Sequence, residues 1–213
     1  DLSGICRANL WLRSADRVLL KMGEFEARTF DELFEKTKAL NWADWIPEDG
    51  AFPVEGKSVR STLHSVPDCQ AIVKKAIVES MAGRYHRKWF DETGPRYPVE
   101  VALLKDVATL TIDTSGHGLH KRGYRAQAGG APLKETLAAG MVLIAGWRRD
   151  TPFVDPFCGS GTIPIEAAMI GLNMAPGLNR GFAAEEWASV PGRLWKEARA
   201  EAMDLRNRAV SLE

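Results

Sequence analysis

The segment whose residue types and spacing most clearly suggest ligand chemistry is residues 155–162, D-P-F-C-G-S-G-T, which precede I-P-I-E-A-A. Its two glycines can adopt backbone angles closed to other residues, and they place no side chain in the way of a ligand. Free backbone N–H groups at the start of a following helix favour an anion or a polar ligand edge. The loop therefore predicts a ligand-binding turn; an ordinary strand-to-helix turn is the alternative interpretation.

The spacing of these glycines excludes two common nucleotide-binding loops. A phosphate-binding loop needs G-x-x-x-x-G-K-[ST], and no lysine follows the second glycine here. The usual dinucleotide fingerprint needs a third glycine, which is also absent. The ligand predicted for this loop is therefore neither a nucleoside triphosphate nor a dinucleotide bound in the usual way.

Two elements must position this loop, a strand before it and a helix after it. Phe153 and Val154 predict a short buried strand, which ends at Asp155. Thr162 can cap the helix that follows, and Pro164 is tolerated in the first turn, where backbone N–H groups lack partners. We expect Glu166 to be a buried carboxylate that anchors the loop through backbone N–H groups, in preference to a direct catalytic role.

Two other segments concentrate positive charge beside an aromatic residue. One is Leu119 to Arg125, and the other follows a helix that we expect to end at Gly83. Such segments can contact phosphates, although basic residues after a helix also offset its dipole. Both interpretations stay open for the second segment. The residues concerned are Arg84, Arg87, Lys88, Lys121, Arg122, Tyr124 and Arg125.

Composition limits the remaining possibilities. The chain has 213 residues, enough for two small domains, and its net charge is zero, so any basic surface must be local. Three cysteines without C-x-x-C spacing predict no metal site and no disulfide framework, which favours a reducing, cytoplasmic setting. No apolar run is long enough to span a membrane.

The hydrophobic pattern predicts a mixed α/β order. Residues 1–28 alternate loosely and indicate two strands of a small sheet. Thr29 and Glu32 form a capping box, after which residues 29–113 read as helix, strand, helix, strand and strand. The last two strands form a hairpin around Lys105 and Asp106. Residues 115–131 have the composition of a linker, and a helix follows Pro132.

The D-P-F-C-G-S-G-T segment resembles the first motif of class I S-adenosylmethionine-dependent methyltransferases. The segments 117–125, 131–139 and 155–168 occur in the order found in THUMP-domain RNA methyltransferases. The segments 168–170, 175–180 and 195–196 resemble the bacterial large-subunit rRNA guanine-N2 branch, the RlmL/YpsC-like group. The resemblance is strong over residues 114–208 and weaker over residues 1–113.

This resemblance implies a fold and a division of labour. Residues 1–28 would be part of a ferredoxin-like domain, and residues 29–114 a THUMP-like domain that binds structured rRNA. A linker, residues 115–131, would lead into residues 132–213, the beginning of a Rossmann-like class I domain that binds S-adenosylmethionine. The expected fold class is thus α/β with α+β. The expected activity is N2-methylation of a guanine in 23S rRNA.

The resemblance also assigns residues to roles. Those matching the cofactor motifs are Pro132, Leu133, Thr136, Asp155, Pro156, Phe157, Cys158, Gly159, Ser160, Gly161 and Thr162. Those expected to contact RNA are Arg84, Arg87, Lys88, Lys121, Arg122, Tyr124 and Arg125, and the last four could instead brace the two domains.

One departure from the family pattern matters. Methyltransferases that act on an exocyclic amine usually carry Asn/Asp-Pro-Pro-Tyr/Phe, whose aromatic ring stacks on a flipped base. No Pro-Pro pair occurs here, and the chain stops before the next expected strand. We therefore expect a truncated enzyme whose 213 residues alone transfer no methyl group. The alternatives are a non-catalytic RNA-binding module with a relic cofactor loop, and a DNA or protein N-methyltransferase.

Overall fold

A computed structural model describes residues 1–124 and 133–206 of the chain. The chain divides into two compact units. The sheet unit comprises Leu19–Gly116 and Glu186–Ser189, and the helical unit comprises Asp1–Val18, His117–Glu185 and Val190–Glu213. Arg125 and Pro132, both named among the predicted binding residues, lie outside the described residues.

The sheet unit is built on four strands in the order β1-β4-β3-β2. These are β1 (Leu19–Glu26), β2 (Val54–Val59), β3 (Val99–Leu104) and β4 (Val107–Asp113). β2 pairs with β3 in parallel, while the β1–β4 and β3–β4 pairs are antiparallel. The sheet is therefore mixed, which confirms the α/β and α+β expectation for this half of the chain.

The hairpin between β3 and β4 follows the sequence prediction. Its turn residues Lys105 and Asp106 have φ angles of 52° and 64°, the left-handed geometry that matches the twist of paired strands. Asp106 also accepts a hydrogen bond of 2.6 Å from the backbone N–H of Thr62. That bond offsets part of the cost of placing two residues other than glycine in this geometry.

Two helices accompany the sheet, α2 (Phe30–Lys38) and α3 (Val66–Tyr85), and they pack against each other. α3 also packs on β2 and buries the stripe that its sequence spacing predicts: Cys69, Val73, Ala76, Ile77 and Met81. It runs two residues beyond Gly83, because Gly83 keeps helical angles and His86 supplies the left-handed cap at φ 55°. The expected helix end at Gly83 was therefore wrong.

Large aromatic side chains complete the core of the sheet unit. Trp42 is fully buried and its indole N–H donates 2.8 Å to the carbonyl of Thr37. Trp187 stacks on Tyr97 at 4.7 Å between ring centroids and donates to the carbonyl of Arg96 at 2.9 Å. Trp42 thus packs under the end of α2.

The first twelve residues differ from the prediction. The expected first strand is a helix, α1 (Leu2–Trp11), whose N-cap Asp1 accepts a hydrogen bond from the Ser3 N–H. Its buried positions include Cys6 and Leu10, four residues apart, so the helical period prevails over the loose alternation. The expected second strand is correct, but as β1 it belongs to the four-stranded sheet, not to a small sheet of its own.

The described residues of the helical unit contain helices and no strand: α1, α4 (Glu135–Ile144), α5 (Thr162–Gly171) and α6 (Gly192–Asp204). α1 packs against α6, and α4 against α5. Phe153 and Val154, predicted as a buried strand, belong to no strand, and Val154 is 82% exposed. A parallel strand needs neighbours on its edges, and the described residues of this unit provide none.

No helix in the described part of the chain is long and apolar enough to span a membrane.

The α2 cap allows a stability test. Glu32 N–H donates to Thr29 Oγ1 at 3.2 Å, and the Glu32 carboxylate accepts the Arg28 N–H at 2.7 Å, which lowers the pKa of Glu32. We expect Thr29→Ala to lower the free energy of unfolding by about 1 kcal/mol, because one helix N–H loses its acceptor. Urea unfolding followed by tryptophan fluorescence measures this. Thr29→Ser keeps the acceptor and should stay near wild type; equal stability of the alanine variant would contradict the cap.

Candidate functional site

The glycine loop folds as a compact turn before α5. Asp155 accepts a hydrogen bond of 3.1 Å from the Phe157 N–H, and the Gly161 N–H donates 2.8 Å to the carbonyl of Cys158. Gly159 and Gly161 have φ angles of 54° and 74°. Residues with a side chain rarely adopt such angles, so the turn depends on both glycines.

The loop is open to a ligand. A Cβ atom added at Gly159 would meet no heavy atom within 4 Å, and one at Gly161 would meet Ile165 Cδ1 only at 3.7 Å. Phe157 is 93% exposed, and the Cys158 thiol is exposed beside it. Within the described residues the turn is therefore not filled by its own neighbours, as a binding loop requires.

The start of α5 differs from the expected one by a residue. Gly161, not Thr162, is the N-cap, and no side chain caps the helix there. Thr162 is the first helical residue and is 3% exposed, with its hydroxyl 3.2 Å from that of Ser160. Pro164 lies in the first turn as predicted. The helix thus begins after a glycine in the left-handed conformation, which other residues rarely adopt.

A buried ion pair lies one turn into α5. Glu166 is 0% exposed, and its two oxygens accept from Nε and Nη2 of Arg122 at 3.3 and 3.4 Å. The Tyr124 hydroxyl adds a third contact at 3.2 Å. Arg122 also donates to the carbonyls of Leu119, at 2.9 Å, and of Arg13. Glu166 is thus buried as expected, but its bonds go to side chains and not to backbone N–H groups of the loop.

The segment after α1 ties this cluster to α4. The Asp16 carbonyl accepts from the Leu119 N–H at 2.8 Å, and the Asp16 carboxylate accepts from the Thr136 hydroxyl at 3.2 Å. Arg13 donates to the Met174 carbonyl at 2.8 Å, and burial lowers the pKa of Arg13 despite the opposing attraction of Glu166. Residues 13–16 therefore contact structure on both sides of the glycine loop.

A second arginine holds the segment that carries Arg122. Arg180 donates to the carbonyls of His117, Gly118 and Lys121 at 2.5, 2.6 and 3.1 Å. Gly123, at φ 87°, lies against the main chain of Asn179, where a Cβ would clash. The segment is thereby fixed from two sides, which the sequence, read as a flexible linker with basic residues, did not reveal.

These contacts bear on the predicted RNA-binding and cofactor-binding residues. Arg122 is 3% exposed and bonded inside the unit, which disfavours its predicted contact with RNA. Tyr124 is half-buried and bonded to Glu166 within the same unit, so its role as an RNA contact or as a brace between the domains stays a prediction. Lys121 is exposed and stays a predicted RNA contact. Thr136 is buried and engaged with Asp16, whereas Leu133 is half-exposed; both stay predicted cofactor residues.

The second basic segment lies in the sheet unit, directly after α3. Arg84, Arg87 and Lys88 are exposed, and Arg87 forms an ion pair with Glu48. Trp89 follows them and is 78% exposed, a residue that the sequence reading passed over. An aromatic directly after a basic run was the available signal. Within residues 1–124 and 133–206, no group of three or more His, Cys, Asp or Glu side chains is placed to hold a metal ion.

Comparison with protein families matches three consecutive parts of the chain. Residues 1–19 match an RlmL ferredoxin-like domain, residues 27–113 a THUMP domain, and residues 122–212 an RMKL-like methyltransferase domain. The glycine loop and the Arg122–Glu166 pair both fall in the third match. The chain therefore carries a THUMP domain and a segment of the RMKL-like methyltransferase domain.

Individual relatives agree with these domain matches. "Putative RNA methyltransferase YpsC" of Bacillus subtilis (strain 168) is 60% identical over 210 residues, which are 97% of this chain and 54% of the relative. A Listeria monocytogenes structure described as a "predicted N6-adenine-specific DNA methylase" is 62% identical with a TM-score of 0.94, covering 97% of this chain and 55% of the other. The chain spans about half the length of the curated relatives it matches.

A further solved structure, described as "SMU.472, a putative methyltransferase complexed with SAH", is 48% identical with a TM-score of 0.94. It covers 100% of this chain and 57% of the other.

The buried pair gives a sharp stability prediction for the helical unit. We expect Glu166→Gln to destabilise the protein by about 3–5 kcal/mol, because the buried Arg122 guanidinium loses its counter-charge. Differential scanning calorimetry measures the change. The matched control is Glu201→Gln, which removes the exposed Arg7–Glu201 pair of the same unit and should cost less than about 1 kcal/mol.

The double variant Arg122→Met/Glu166→Leu separates charge from shape. Since both charges are removed together, it should recover much of the stability lost in Glu166→Gln. Equal losses in Glu166→Gln and Glu201→Gln would show that the pair is not desolvated in solution.

Proposed function

We propose that this chain provides the S-adenosylmethionine-binding loop and the RNA-binding domain of an RNA methyltransferase. The observation that carries the proposal is the open turn at Gly159 and Gly161 before α5. The SAH complex of the 48%-identical neighbour supports the cofactor, and the THUMP match with the name of the B. subtilis relative supports RNA.

The residues of this chain fit such a cofactor. Bare backbone at Gly159 and Gly161 lets a ligand approach the main chain, and the N–H groups of the α5 start have no side-chain cap competing for them. Ser160 adds a hydroxyl at the same turn, and Asp155 holds the loop through Phe157 N–H. When bound, the cofactor supplies a methyl group on a positively charged sulfur, which is transferred in line to a nucleophile.

The contribution of the protein to such a transfer is chiefly positioning. An in-line displacement needs the acceptor nitrogen and the methyl carbon held in near-attack geometry. Binding energy offsets the translational and rotational entropy that the two reactants lose when they are held in this way. The contacts of Glu166 with Arg122 and Tyr124 contribute to positioning indirectly, because they fix α5, the helix that follows the loop. No Pro-Pro pair occurs in the 213 residues, so we assign no residue of this chain to the acceptor amine.

Within this class we propose N2-methylation of a guanine in 23S rRNA. The resemblance of residues 168–170 and 175–180 to the large-subunit rRNA branch supports the target. The match of residues 1–19 to the RlmL ferredoxin-like domain also supports it. The second candidate, methylation of adenine N6 in DNA, is favoured by the description of the Listeria neighbour. Both acceptors are exocyclic amines, so the glycine loop alone does not distinguish them.

The cofactor role predicts a specific loss on substitution. We expect Gly159→Ala to weaken S-adenosylmethionine binding by about tenfold or more, because a methyl group enters the open turn and φ 54° disfavours it. Isothermal titration calorimetry on this chain, and on full-length B. subtilis YpsC with the equivalent change, measures it. Gly181→Ala is the matched control, since Gly181 has room for a Cβ and no left-handed angle. If full-length wild type bound no cofactor, the relic-loop alternative would hold.

The target is tested on the same full-length relative. We expect YpsC and radiolabelled S-adenosylmethionine to methylate 23S rRNA from a strain lacking the enzyme, with N2-methylguanosine found by mass spectrometry of the digested product. Matched double-stranded DNA serves as the competing substrate. N6-methyladenine in that DNA, with unmodified rRNA, would establish the second candidate instead.

A further inference from the structure

The segment after α3 presents a large aromatic side chain to solvent. Trp89 is 78% exposed, more than any other tryptophan among the described residues. A residue of this size gains about 1.5–3 kcal/mol when it is buried, so leaving it in water forgoes considerable stability. Isolated exposed apolar residues are common, however, so exposure alone does not indicate a site.

The chain on either side of Trp89 is firmly held. Phe90 is 7% exposed and lies edge-on to Tyr85 and Phe52, with centroid distances of 6.2 and 6.4 Å. Tyr85 in turn donates 2.9 Å to the carbonyl of Ile46. Glu92 accepts from the Phe52 N–H at 3.1 Å and pairs with Lys74 at 2.5 Å. Trp89 is therefore exposed on an anchored turn rather than on a loose one.

The segment that carries Trp89 begins and ends at residues with left-handed backbone angles. His86 and Glu92 have φ angles of 55° and 51°, the left-handed region that residues with a Cβ adopt at a cost. Strained backbone persists where surrounding contacts impose it, and such residues cluster at binding sites. These two residues bracket the five positions 87–91, which include Arg87, Lys88 and Trp89.

Both basic and acidic side chains surround the end of α3, so any surface there that binds phosphates is small. Arg87 is paired with Glu48, whereas Arg84 and Lys88 form no ion pair with any described residue. Burial raises the pKa of Tyr85, with nearby Arg84 opposing that rise and Glu48, Asp44 and Asp49 adding to it. This surface is therefore not a broad phosphate-binding face. Arg84, in the last turn of α3, and Lys88, next to Trp89 in sequence, are two cations that suit a short stretch of nucleic acid.

We propose that Trp89 stacks on an unpaired base of the RNA, while Arg84 and Lys88 contact the phosphates that flank it. Aromatic side chains next to cations bind single strands in this way because every base has a flat face. Paired bases cannot offer that face, so the site would select an unpaired end, loop or bulge. The inference rests on the proposed RNA substrate and names the feature of it that the sheet unit recognises.

The test uses this 213-residue chain and a fluorescein-labelled 12-nucleotide RNA, single-stranded or annealed to its complement. We expect Trp89→Ala to weaken single-strand binding by about tenfold in fluorescence anisotropy, with an unchanged salt dependence, because stacking involves no charge. Trp89→Phe should retain most of the affinity. Lys88→Ala should reduce the slope of log K against log salt by about 0.7.

The controls separate this inference from the proposed function. Leu104→Ala removes another exposed apolar side chain of the sheet unit, 55% exposed, and should leave RNA binding unchanged. Wild-type affinity in Trp89→Ala would overturn the stacking inference while leaving the RNA substrate intact. An equal loss for the duplex would also overturn it, since a duplex offers no free base. A wild-type chain that binds neither RNA would overturn the inference together with the RNA half of the proposed function.

Discussion

The helical unit depends on the contact between Arg122 and Glu166, both almost without exposure to solvent. A charge removed from water is costly unless it is paired and its remaining hydrogen-bonding groups are satisfied. Arg122 meets that condition with Glu166 and the carbonyls of Leu119 and Arg13. This one side chain therefore joins the residues after α1, the 117–124 segment and helix α5.

The Arg122–Glu166 contact also determines where the glycine loop lies. α5 begins immediately after the loop, and Glu166 is in its second turn, so fixing Glu166 fixes where the first turn lies. Thr136 is bonded to Asp16, three residues from Arg13 in the same segment. The starts of α4 and α5 are thus both connected to residues 13–16, the first through Asp16 and the second through Arg13 and Arg122. A binding site built from such starts gains from this arrangement, because a small displacement of either would misplace its polar groups.

Local physics accounts for what the sequence predicted. The β3–β4 hairpin, the α2 cap and the buried stripe of α3 each follow from turn residues, capping residues or a helical period within a few positions. The glycine turn was also readable, since glycine at 159 and 161 constrains the backbone directly.

Non-local effects account for the errors. Phe153 and Val154 have strand-like side chains, but strands exist only with partners, and the apolar pattern carries no information on whether partners are present. α1 was misread because an apolar spacing of two and of four can coexist in a dozen residues. Arg122 was assigned to a surface because charge is visible in sequence, whereas a buried counter-charge 44 residues away is not.

The choice of an ion pair at this position calls for an explanation beyond stability. Apolar residues of similar volume often replace a buried ion pair without loss, since desolvation offsets most of its attraction. An apolar pair, however, would allow α5 to slide or rotate at little cost, because dispersion contacts have no preferred direction. The fork of Arg122 instead fixes two oxygens of Glu166 and two carbonyls at once. We infer that the pair is used for orientation, which a loop that must present its backbone to a ligand needs more than it needs stability.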